Sequence, residues 1–377
     1  MLDPSNRRFR YGLISCTVCG PRWSILDRFP YDRDHTAMRT FPMCPSCREE
    51  YTAGRRRHAQ TISCHDCGPQ MYFVKERRLI GETDPVREED CRRIYGEEGF
   101  REAVRVLESG GVLALKSIGG FQLLCSPFRE ESVRRLREMK GREKKPFAVL
   151  FSSVEEIRQY AEVSREEEKL LTSSAKPIVL LLRKEGGQRQ APAAPNGSID
   201  AAGGGQTALA DFAAAGNRND IRENGNGGIP LAPGVCGESR YLGAFLPSFG
   251  VQELLLQETG PLVVTSANRS AEPIPFREEA FAGMEFAGGL DADGVYLHDR
   301  SIRRPLDDSV AAVPDGRIQM IRRSRGYVPA PVFLREAGLS GPFLHGQANP
   351  EGTMEKRTQE QRQEGGNGNF ADRSEIL

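Results

Sequence analysis

Six of the nine cysteines in this chain of 377 residues occur in pairs whose members are separated by two residues. The pairs are Cys16/Cys19, Cys44/Cys47 and Cys64/Cys67. The last two pairs form the pattern C-x2-C-x16-C-x2-C, in which each turn presents two sulfur atoms and two turns close a tetrahedral shell. Four cysteines leave no open coordination position, so the pattern predicts structural rather than catalytic Zn²⁺.

The first cysteine pair belongs to a repeat. The segment RRFRYGLISCTVCGP, with Cys16 and Cys19, matches RRRHAQTISCHDCGP, with Cys64 and Cys67. Only the second copy has an upstream pair. By the spacing of the repeat, the missing partners would precede Met1, so we expect an incomplete first finger that binds metal weakly or requires an upstream segment. Met1 is then expected to be an internal methionine of a longer protein or a misassigned start.

A second candidate site is the basic segment from Arg134 to Lys145, with REMKGREKKPF at its core, which leads directly into an apolar stretch. Loops at the strand ends of α/β sheets bind ligands, and Lys140 with Arg142 could hold phosphate oxygens, the arginine in a bidentate way. Ser266 and Asn268 follow the apolar run PLVVT and could either fix a ligand or cap a turn. The alternative for the basic segment is a solvated helix face.

The elements that must position these residues alternate between helix and strand patterns from about residue 95. Helices are predicted at 100–109, 132–140 and 251–257, and capping boxes at 153–156 and 164–167 open two more. Strands are predicted at 112–115, 147–151, 177–182, 261–265 and 294–298, with a hairpin over 310–321. This alternation predicts an α/β domain.

Composition divides the chain into regions. Residues 1–80 are rich in cysteine and arginine and form the predicted zinc module, whereas 95–184 and 229–335 form the predicted α/β domain. Residues 185–228 and 346–377 lack periodic apolar residues, which predicts a disordered insertion and a disordered tail.

Charge and apolar patterning restrict the class of protein. Lys and Arg together number 52, as do Asp and Glu, which argues against nucleic-acid binding through bulk charge alone. The N-terminus lacks the apolar segment of a secretory signal, and the longest apolar run is too short to span a bilayer. We therefore expect a cytoplasmic protein without membrane contact, in a reducing compartment where paired cysteines bind metal.

The motifs together resemble a known family. KGREKKPFAVL, LAPG and GPLVVTSAN are similar to the YrdC-type fold, with its Lys-x-Arg and Ser-x-Asn nucleotide site. From Met1 to about Pro331 the chain resembles the middle of HypF-type hydrogenase-maturation carbamoyltransferases, through CTVCGPRWSIL, FPYDRDHTAM, FPMCPSCREEY, RRRHAQ, GGVLALKSIGGFQLLC, TSANRSAEP, LHDRSI, DDSV and RRSRGYVP. The resemblance implies a YrdC-like twisted mixed sheet with helices, preceded by a small four-cysteine zinc-finger module.

The resemblance also implies a reaction sequence. In that family an acylphosphatase-like domain releases carbamate from carbamoyl phosphate, and the YrdC-like domain joins carbamate to AMP from ATP. A last domain moves the carbamoyl group to the C-terminal cysteine of an acceptor protein of hydrogenase maturation. Neither outer domain is recognisable here, so we expect a truncated enzyme that performs the adenylating step and needs the missing domains in trans.

Residue by residue, the resemblance assigns the nucleotide phosphates to Lys140, Arg142, Ser266 and Asn268. It assigns the carbamoyl pocket to Lys116, Gly119 and Gly120, with Lys116, Lys140 and Arg142 as catalytic residues. Attack at the α-phosphorus of ATP requires fixed cations and Mg²⁺ to spread the growing charge. The chain departs from the family pattern at Gln122, where histidine is usual, and at Pro305, where arginine is usual.

Three functions are compatible with the sequence. The first is carbamoyl adenylate formation for NiFe hydrogenase maturation, which the fingers and the GGFQLLC segment favour. The second is threonylcarbamoyl-adenylate synthesis for tRNA modification, as in stand-alone YrdC-type proteins, whose resemblance also implies binding of double-stranded RNA. The third is an inactive fragment whose zinc module still binds partners.

Overall fold

The computed structural model describes residues 1–15, 22–80, 93–184, 229–269 and 272–330. Cys16, Cys19 and the two segments predicted to be disordered, 185–228 and 346–377, lie outside these ranges. The described residues belong to one unit, Met1–Pro331, and a second unit, Val332–Leu377, lies outside them. No helix within the described ranges combines the length and apolar character needed to cross a membrane.

The strands of the described residues form a single mixed sheet. They are β1 (Met71–Val74), β2 (Ile94–Tyr95), β3 (Leu113–Lys116), β4 (Phe121–Cys125), β5 (Ala148–Leu150), β6 (Ile178–Leu182), β7 (Tyr241–Phe245), β8 (Leu262–Ser266), β9 (Gly294–His298), β10 (Val310–Ala312) and β11 (Gln319–Arg322). Their order is β11-β10-β6-β7-β5-β8-β4-β3-β9-β1-β2. β3 and β9, β5 and β7, and β6 and β10 are parallel pairs, and the other neighbours are antiparallel. The α/β fold class is confirmed.

Helices cover both faces of this sheet. They are α1 (Pro45–Thr52), α2 (Gly96–Glu108), α3 (Glu130–Lys140), α4 (Val154–Ile157), α5 (Arg165–Thr172), α6 (Pro233–Cys236), α7 (Gly250–Thr259) and α8 (Glu278–Ala282). α2 and α7 contribute to one apolar core, whereas α3, α5 and α8 contribute to the other. Successive residues of β8 alternate between the cores, as the period of a strand requires.

Local sequence signals account for most helix ends. α2 buries Phe100, Ala103, Val104 and Leu107 and ends just before Gly110, whose φ is +88°. The capping box at the start of α5 is confirmed. At the start of α4, Ser153 accepts from the backbone of the third helical residue as predicted. The glutamate there instead accepts from residue 152, so only half of that box forms.

Four strands, β1, β2, β4 and β7, are not among those predicted from the sequence pattern. All five residues of β4 are buried, so it lacks the alternation by which a half-exposed strand is recognised. Four of the five residues of β7 are buried, and a glycine lies at its centre. The predicted hairpin over 310–321 is observed as the antiparallel pair β10/β11. β1, within the range predicted for the zinc module, pairs with β9.

The N-terminal module contains small cores of its own. One consists of Ile25, Ala37 and Met38, and another is formed by Cys47, Ile62 and Cys64. Tyr11 joins the module to the sheet, because its ring packs in the core beneath α2 and α7 and its hydroxyl donates to Pro69 O at 3.0 Å. The metal-ligand candidates are thus anchored to the α/β domain.

Candidate functional site

Two turns bring four sulfur atoms together in the N-terminal module. Cys44 and Cys47 flank the start of α1, and Cys64 and Cys67 lie in the turn before β1. All four Sγ atoms lie within 4.8 Å of one another, and the Cys44–Cys64 and Cys64–Cys67 sulfur distances are both 3.8 Å. Sulfurs at the corners of a tetrahedron with Zn–S bonds of about 2.3 Å are about 3.8 Å apart. The cluster therefore fits structural Zn²⁺.

Two arginines and a glutamate adjoin this cluster. Arg7 Nη2 donates to Cys47 Sγ at 3.0 Å, and Arg8 Nη2 donates to the same sulfur at 3.4 Å. Both arginines pair with Glu50, at 2.7 and 2.9 Å. Burial opposes the charge on Arg7, but its hydrogen bonds to Cys47 and Glu50 raise its pKa overall. The two arginines would thereby offset part of the negative charge that four thiolates leave around Zn²⁺.

Lys140 lies at the end of α3, where Gly141 turns the chain with a φ of +55°. Only 8% of Lys140 is exposed. Its Nζ donates to Ser266 O at 2.6 Å, to Asn268 O, and to Asn268 Oδ1 at 3.4 Å. Ser266 Oγ in turn donates to Asn268 Oδ1. Three residues predicted for the nucleotide site therefore meet at the end of β8.

Arg142 lies beside this group, on the segment between α3 and β5. Its Nη1 donates to Thr265 Oγ1 at 3.3 Å, and its guanidinium lies over the Phe147 ring, 4.8 Å from the centroid. Its Nε donates to Lys145 O at 3.0 Å, and its Nη2 donates to Pro146 O. These contacts fix the plane of the guanidinium at the end of β8, next to the lysine.

Both cations lack a counter-ion within the described part of the chain. Neither Lys140 nor Arg142 forms an ion pair with a described carboxylate. Burial, followed by the charges of Arg142 and Lys145, lowers the pKa of Lys140 to about 8. Burial, followed by Arg137 and Arg322, lowers the pKa of Arg142 to about 10. Cations held this way favour an anion with several oxygen atoms, such as a phosphate chain.

Lys116, at the end of β3, is fully buried. Its Nζ donates to His298 O at 2.9 Å, to Arg300 O at 3.0 Å and to Glu278 on α8. Burial lowers the pKa of Lys116, although Glu278 opposes the shift. Lys116 and Lys140 each make three hydrogen bonds within the protein, but only Lys116 has a carboxylate, that of Glu278, among its partners. The geometry favours a positioning role, and direct contact with a ligand stays a prediction.

Gly119 and Gly120 form the turn between β3 and β4. A Cβ on Gly119 would lie 2.1 Å from Leu306 O, and Leu306 N donates to Gly119 O at 2.9 Å. A Cβ on Gly120, whose φ is +154°, would lie 2.7 Å from Ile274 Cγ1. The two glycines therefore allow the segments that contain Leu306 and Ile274 to approach the turn closely. Whether this turn lines a carbamoyl pocket stays a prediction.

Three residues near this site were not predicted as a unit. Gln122 on β4 lies opposite Ser266 on β8, and its Nε2 donates to Asp308 Oδ2 at 2.8 Å. Arg325 Nε donates to Asp308 Oδ1 at 2.8 Å. The sequence signal for this group is only that its members fall within the motifs GGFQLLC, DDSV and RRSRGYVP.

Two family models match the chain. The Sua5/YciO/YrdC model, described as telomere recombination, matches residues 105–203 and 221–324. The HypF finger model matches residues 1–26 and 43–74. The first match includes the residues that meet at the end of β8, and the second includes the four-cysteine cluster.

The curated relatives are carbamoyltransferases. The chain is 35% identical to carbamoyltransferase HypF of Rhodobacter capsulatus, over 90% of this chain and 37% of the relative. It is 33% identical to probable carbamoyltransferase HypF of Methanocaldococcus jannaschii, over 88% of this chain and 36% of the relative. The chain therefore spans a little more than a third of the length of these relatives.

Two solved structures share the fold. A crystal structure of full-length HypF in the phosphate- and nucleotide-bound form is 36% identical, with a TM-score of 0.67 over 89% of this chain and 36% of that one. HypF of T. kodakarensis is 33% identical, with a TM-score of 0.68 over 88% of this chain and 36% of that one. The similarity confirms the predicted architecture of finger module and YrdC-like sheet.

Proposed function

Since this chain belongs to the Sua5/YciO/YrdC family and carries the HypF finger, we propose that its α/β domain forms carbamoyl adenylate from carbamate and ATP. A carbamate oxygen attacks the α-phosphorus of ATP and forms the new P–O bond. The bond between that phosphorus and the bridging oxygen of pyrophosphate breaks, and pyrophosphate leaves with the electron pair. The equation balances without an oxidant or a further reactant.

The observation that carries this proposal is the pair of cations without counter-ions at the end of β8. Lys140 and Arg142 supply two positive charges where the triphosphate gains charge on the leaving oxygen. At pH 7 most Lys140 side chains are protonated, because the pKa is about 8. Mg²⁺ bound with the ATP phosphates would neutralise part of the remaining charge.

Ser266 and Asn268 complete the phosphate site in this proposal. Asn268 Nδ2 donates to Glu272 O, which orients the amide so that its Oδ1 faces Ser266 Oγ and Lys140 Nζ. Both side chains are therefore held in place before a ligand binds, which lowers the entropic cost of ordering them. Their proposed role is to orient the phosphates rather than to transfer protons.

The carbamoyl end of the substrate is proposed to lie at the turn between β3 and β4. Gly119 and Gly120 line it, and Lys116 supports it from below by joining the ends of β3 and β9 to α8. In this arrangement Lys116 does not touch the substrate. It fixes the backbone carbonyls of His298 and Arg300, which accept its hydrogen bonds.

The whole reaction of the longer relatives is proposed only in cooperation with other domains. Carbamate derived from carbamoyl phosphate would be supplied in trans, and the carbamoyl group would pass to the C-terminal cysteine of an acceptor protein of hydrogenase maturation. Residues 1–80 form the structural zinc module in this proposal, and 95–184 with 229–335 form the adenylating domain. Binding of double-stranded RNA stays a prediction.

Pyrophosphate exchange into ATP, measured with zinc-loaded protein, tests the adenylation step. We expect exchange that depends on freshly dissolved carbamate and is weak with carbamoyl phosphate alone. Absence of ATP binding by calorimetry in folded protein would contradict the proposal and favour an inactive fragment. Exchange driven by threonine with bicarbonate, but not by carbamate, would favour threonylcarbamoyl-adenylate synthesis instead.

A further inference from the structure

Gln122 is a buried glutamine whose amide is only half satisfied. Only 5% of the residue is exposed, and its Nε2 donates to Asp308. Its Oε1 has no hydrogen-bond partner in any part of the chain that the structure describes. A buried acceptor without a donor loses its hydration without compensation, so most such atoms in folded proteins are paired. The free Oε1 therefore marks a place where a donor is expected.

The orientation of this amide is determined by its neighbours. Asp308 pairs with Arg325 at 2.8 Å, and Arg325 also donates to Ala175 O at 2.9 Å and to Lys176 O at 3.0 Å. The ionised carboxylate can only accept hydrogen bonds, so it selects the Nε2 side of the Gln122 amide. A rotated amide would place two oxygens against each other. Oε1 is therefore the atom left for a ligand, and because its surface is covered by neighbouring groups, a side chain around it must move for the ligand to reach it.

The register of the sheet places this amide beside the phosphate site. Gln122 on β4 is the direct neighbour of Ser266 on β8. Side chains that are directly opposite on antiparallel strands share a face and lie close together. Ser266 O accepts from Lys140 Nζ at 2.6 Å, so the free acceptor and the lysine adjoin the same residue. A small ligand here would meet positive charge and a hydrogen-bond acceptor together.

We propose that Gln122 determines substrate specificity by accepting a hydrogen bond from the amino group of the carbamoyl substrate. The inference rests on the proposed adenylation. Carbamate combines an anionic carboxylate, which suits the cations, with an N–H donor, which suits Oε1. Acetate has the same shape with a methyl group in place of the amino group, and it would leave Oε1 unpaired. A site built to pair with an N–H group rejects such an analogue strongly.

A pair of stable adenylate analogues tests this proposal by binding alone. Adenosine 5′-sulfamates N-acylated with a carbamoyl or an acetyl group differ only in a terminal amino or methyl group. With zinc-loaded protein we expect calorimetry to show about 10- to 100-fold tighter binding of the carbamoyl compound. In Gln122→Met, which keeps the length and loses the acceptor, the two dissociation constants should agree within about twofold.

A matched control is Gln252→Met, because Gln252 is another buried glutamine, on α7, whose unpartnered atom is the donor Nε2. It should keep the preference for the carbamoyl compound. If Gln122→Met fails to bind zinc or to melt cooperatively, Asp308→Asn replaces it. The asparagine no longer selects one orientation of the Gln122 amide, so the preference should fall several-fold while both compounds still bind.

The outcomes separate the inference from the function on which it rests. If wild-type protein binds neither compound, the adenylation proposal fails and this inference fails with it. If wild-type protein binds both compounds equally, adenylation stands and the role of Gln122 is refuted. A preference in wild-type protein that persists in Gln122→Met would assign the amino group to a different acceptor.

Discussion

The cysteine cluster and the cation group at the end of β8 handle charge in opposite ways. Around the cysteines, Arg7 and Arg8 donate to Cys47 and pair with Glu50, so each buried charge meets its opposite within the protein. At the end of β8, Lys140 and Arg142 donate only to neutral oxygens among the described residues. The first region pairs its charged side chains within the protein, whereas the second offers two positive charges to an anion.

This difference is the one expected between a structural site and a substrate site, and it depends only on the contacts within the chain. A closed four-cysteine shell offers no position to a substrate, and neighbouring arginines offset part of its charge. Two neighbouring cations whose pKa values are lowered, first by burial and then by nearby positive charges, are costly without a counter-ion, and a bound phosphate chain would offset that cost. Changes to the two regions should therefore affect different observables.

The largest effect is expected when one of the metal-ligating cysteines is replaced. Cys64→Ser removes one of four ligands, so bound zinc should fall from about one ion per chain to nearly none, and the N-terminal module should lose its fold. The loss is large because zinc binding to such modules supplies most of their folding free energy. Elemental analysis and proteolysis within residues 1–80 measure the two effects.

Cys125→Ser is the matched control for the metal. Cys125 is a buried free cysteine on β4, outside the cluster, and burial raises its pKa to about 12. The change should lower stability while zinc content stays at the wild-type value. Unchanged zinc content in Cys64→Ser would contradict the cluster assignment.

The next largest effect concerns the phosphate site. Arg142→Ala should lower carbamate-dependent pyrophosphate exchange by about 10²–10³-fold, because a lost donor at a charge-developing site costs on the order of 2–4 kcal/mol. Zinc content should not change. Arg134→Ala is the control, since Arg134 lies in the same basic segment but is exposed and pairs with Glu131 and Glu138. It should stay within about twofold of wild type, and an equal loss in both variants would mean that only bulk charge matters.

A smaller effect distinguishes two roles for Lys116, which are fixing the backbone around the site and contacting the nucleotide directly. Lys116→Met leaves Glu278 and two carbonyls without their donor, so the free energy of unfolding should fall by about 2 kcal/mol. If Lys116 acts by positioning, the dissociation constant for ATP should change less than about threefold. Denaturant unfolding and calorimetry give the two values, and the exposed Lys169→Met is the control. A large loss of ATP affinity without loss of stability would place Lys116 in contact with the nucleotide.

Sequence motifs and structure agree on which side chains meet at the end of β8, but they do not give the whole site. Lys140, Arg142, Ser266 and Asn268 lie within short motifs beside apolar runs, so type and spacing were sufficient to single them out. The pair formed by Gln122 and the Asp308 carboxylate spans 186 positions. It forms because β4 and the segment after β9 reach the same sheet end, and no local pattern encodes that meeting.

The same reasoning explains which elements were found. Amphipathic helices such as α2 and α3 show one apolar face, and their interiors could be read directly from sequence. β4 could not, because burial on both faces removes the alternation, and Gln122 within it resembles a surface position. A polar residue in a central strand thus makes that strand hard to predict from sequence. Once the structure shows the residue to be buried, it is a clear indication of a functional site.

The smallest expected effect is a pH dependence that belongs to the cation group alone. The pKa of Lys140 is about 8 in the folded protein, below its usual value of about 10.4, because of burial and then of Arg142 and Lys145. Between these two values the unfolded chain binds more protons, so the contribution of Lys140 to stability rises with pH there. ATP binding requires the charged form, so affinity should fall as the pH rises through about 8, by at most about tenfold per unit. Calorimetry from pH 7 to 9.5 measures this slope, and Lys140→Arg, which stays charged, should flatten it. A wild-type profile as flat as that of Lys140→Arg would mean that Lys140 does not face the phosphates, and the contrast with the cysteine cluster would then rest on Arg142 alone.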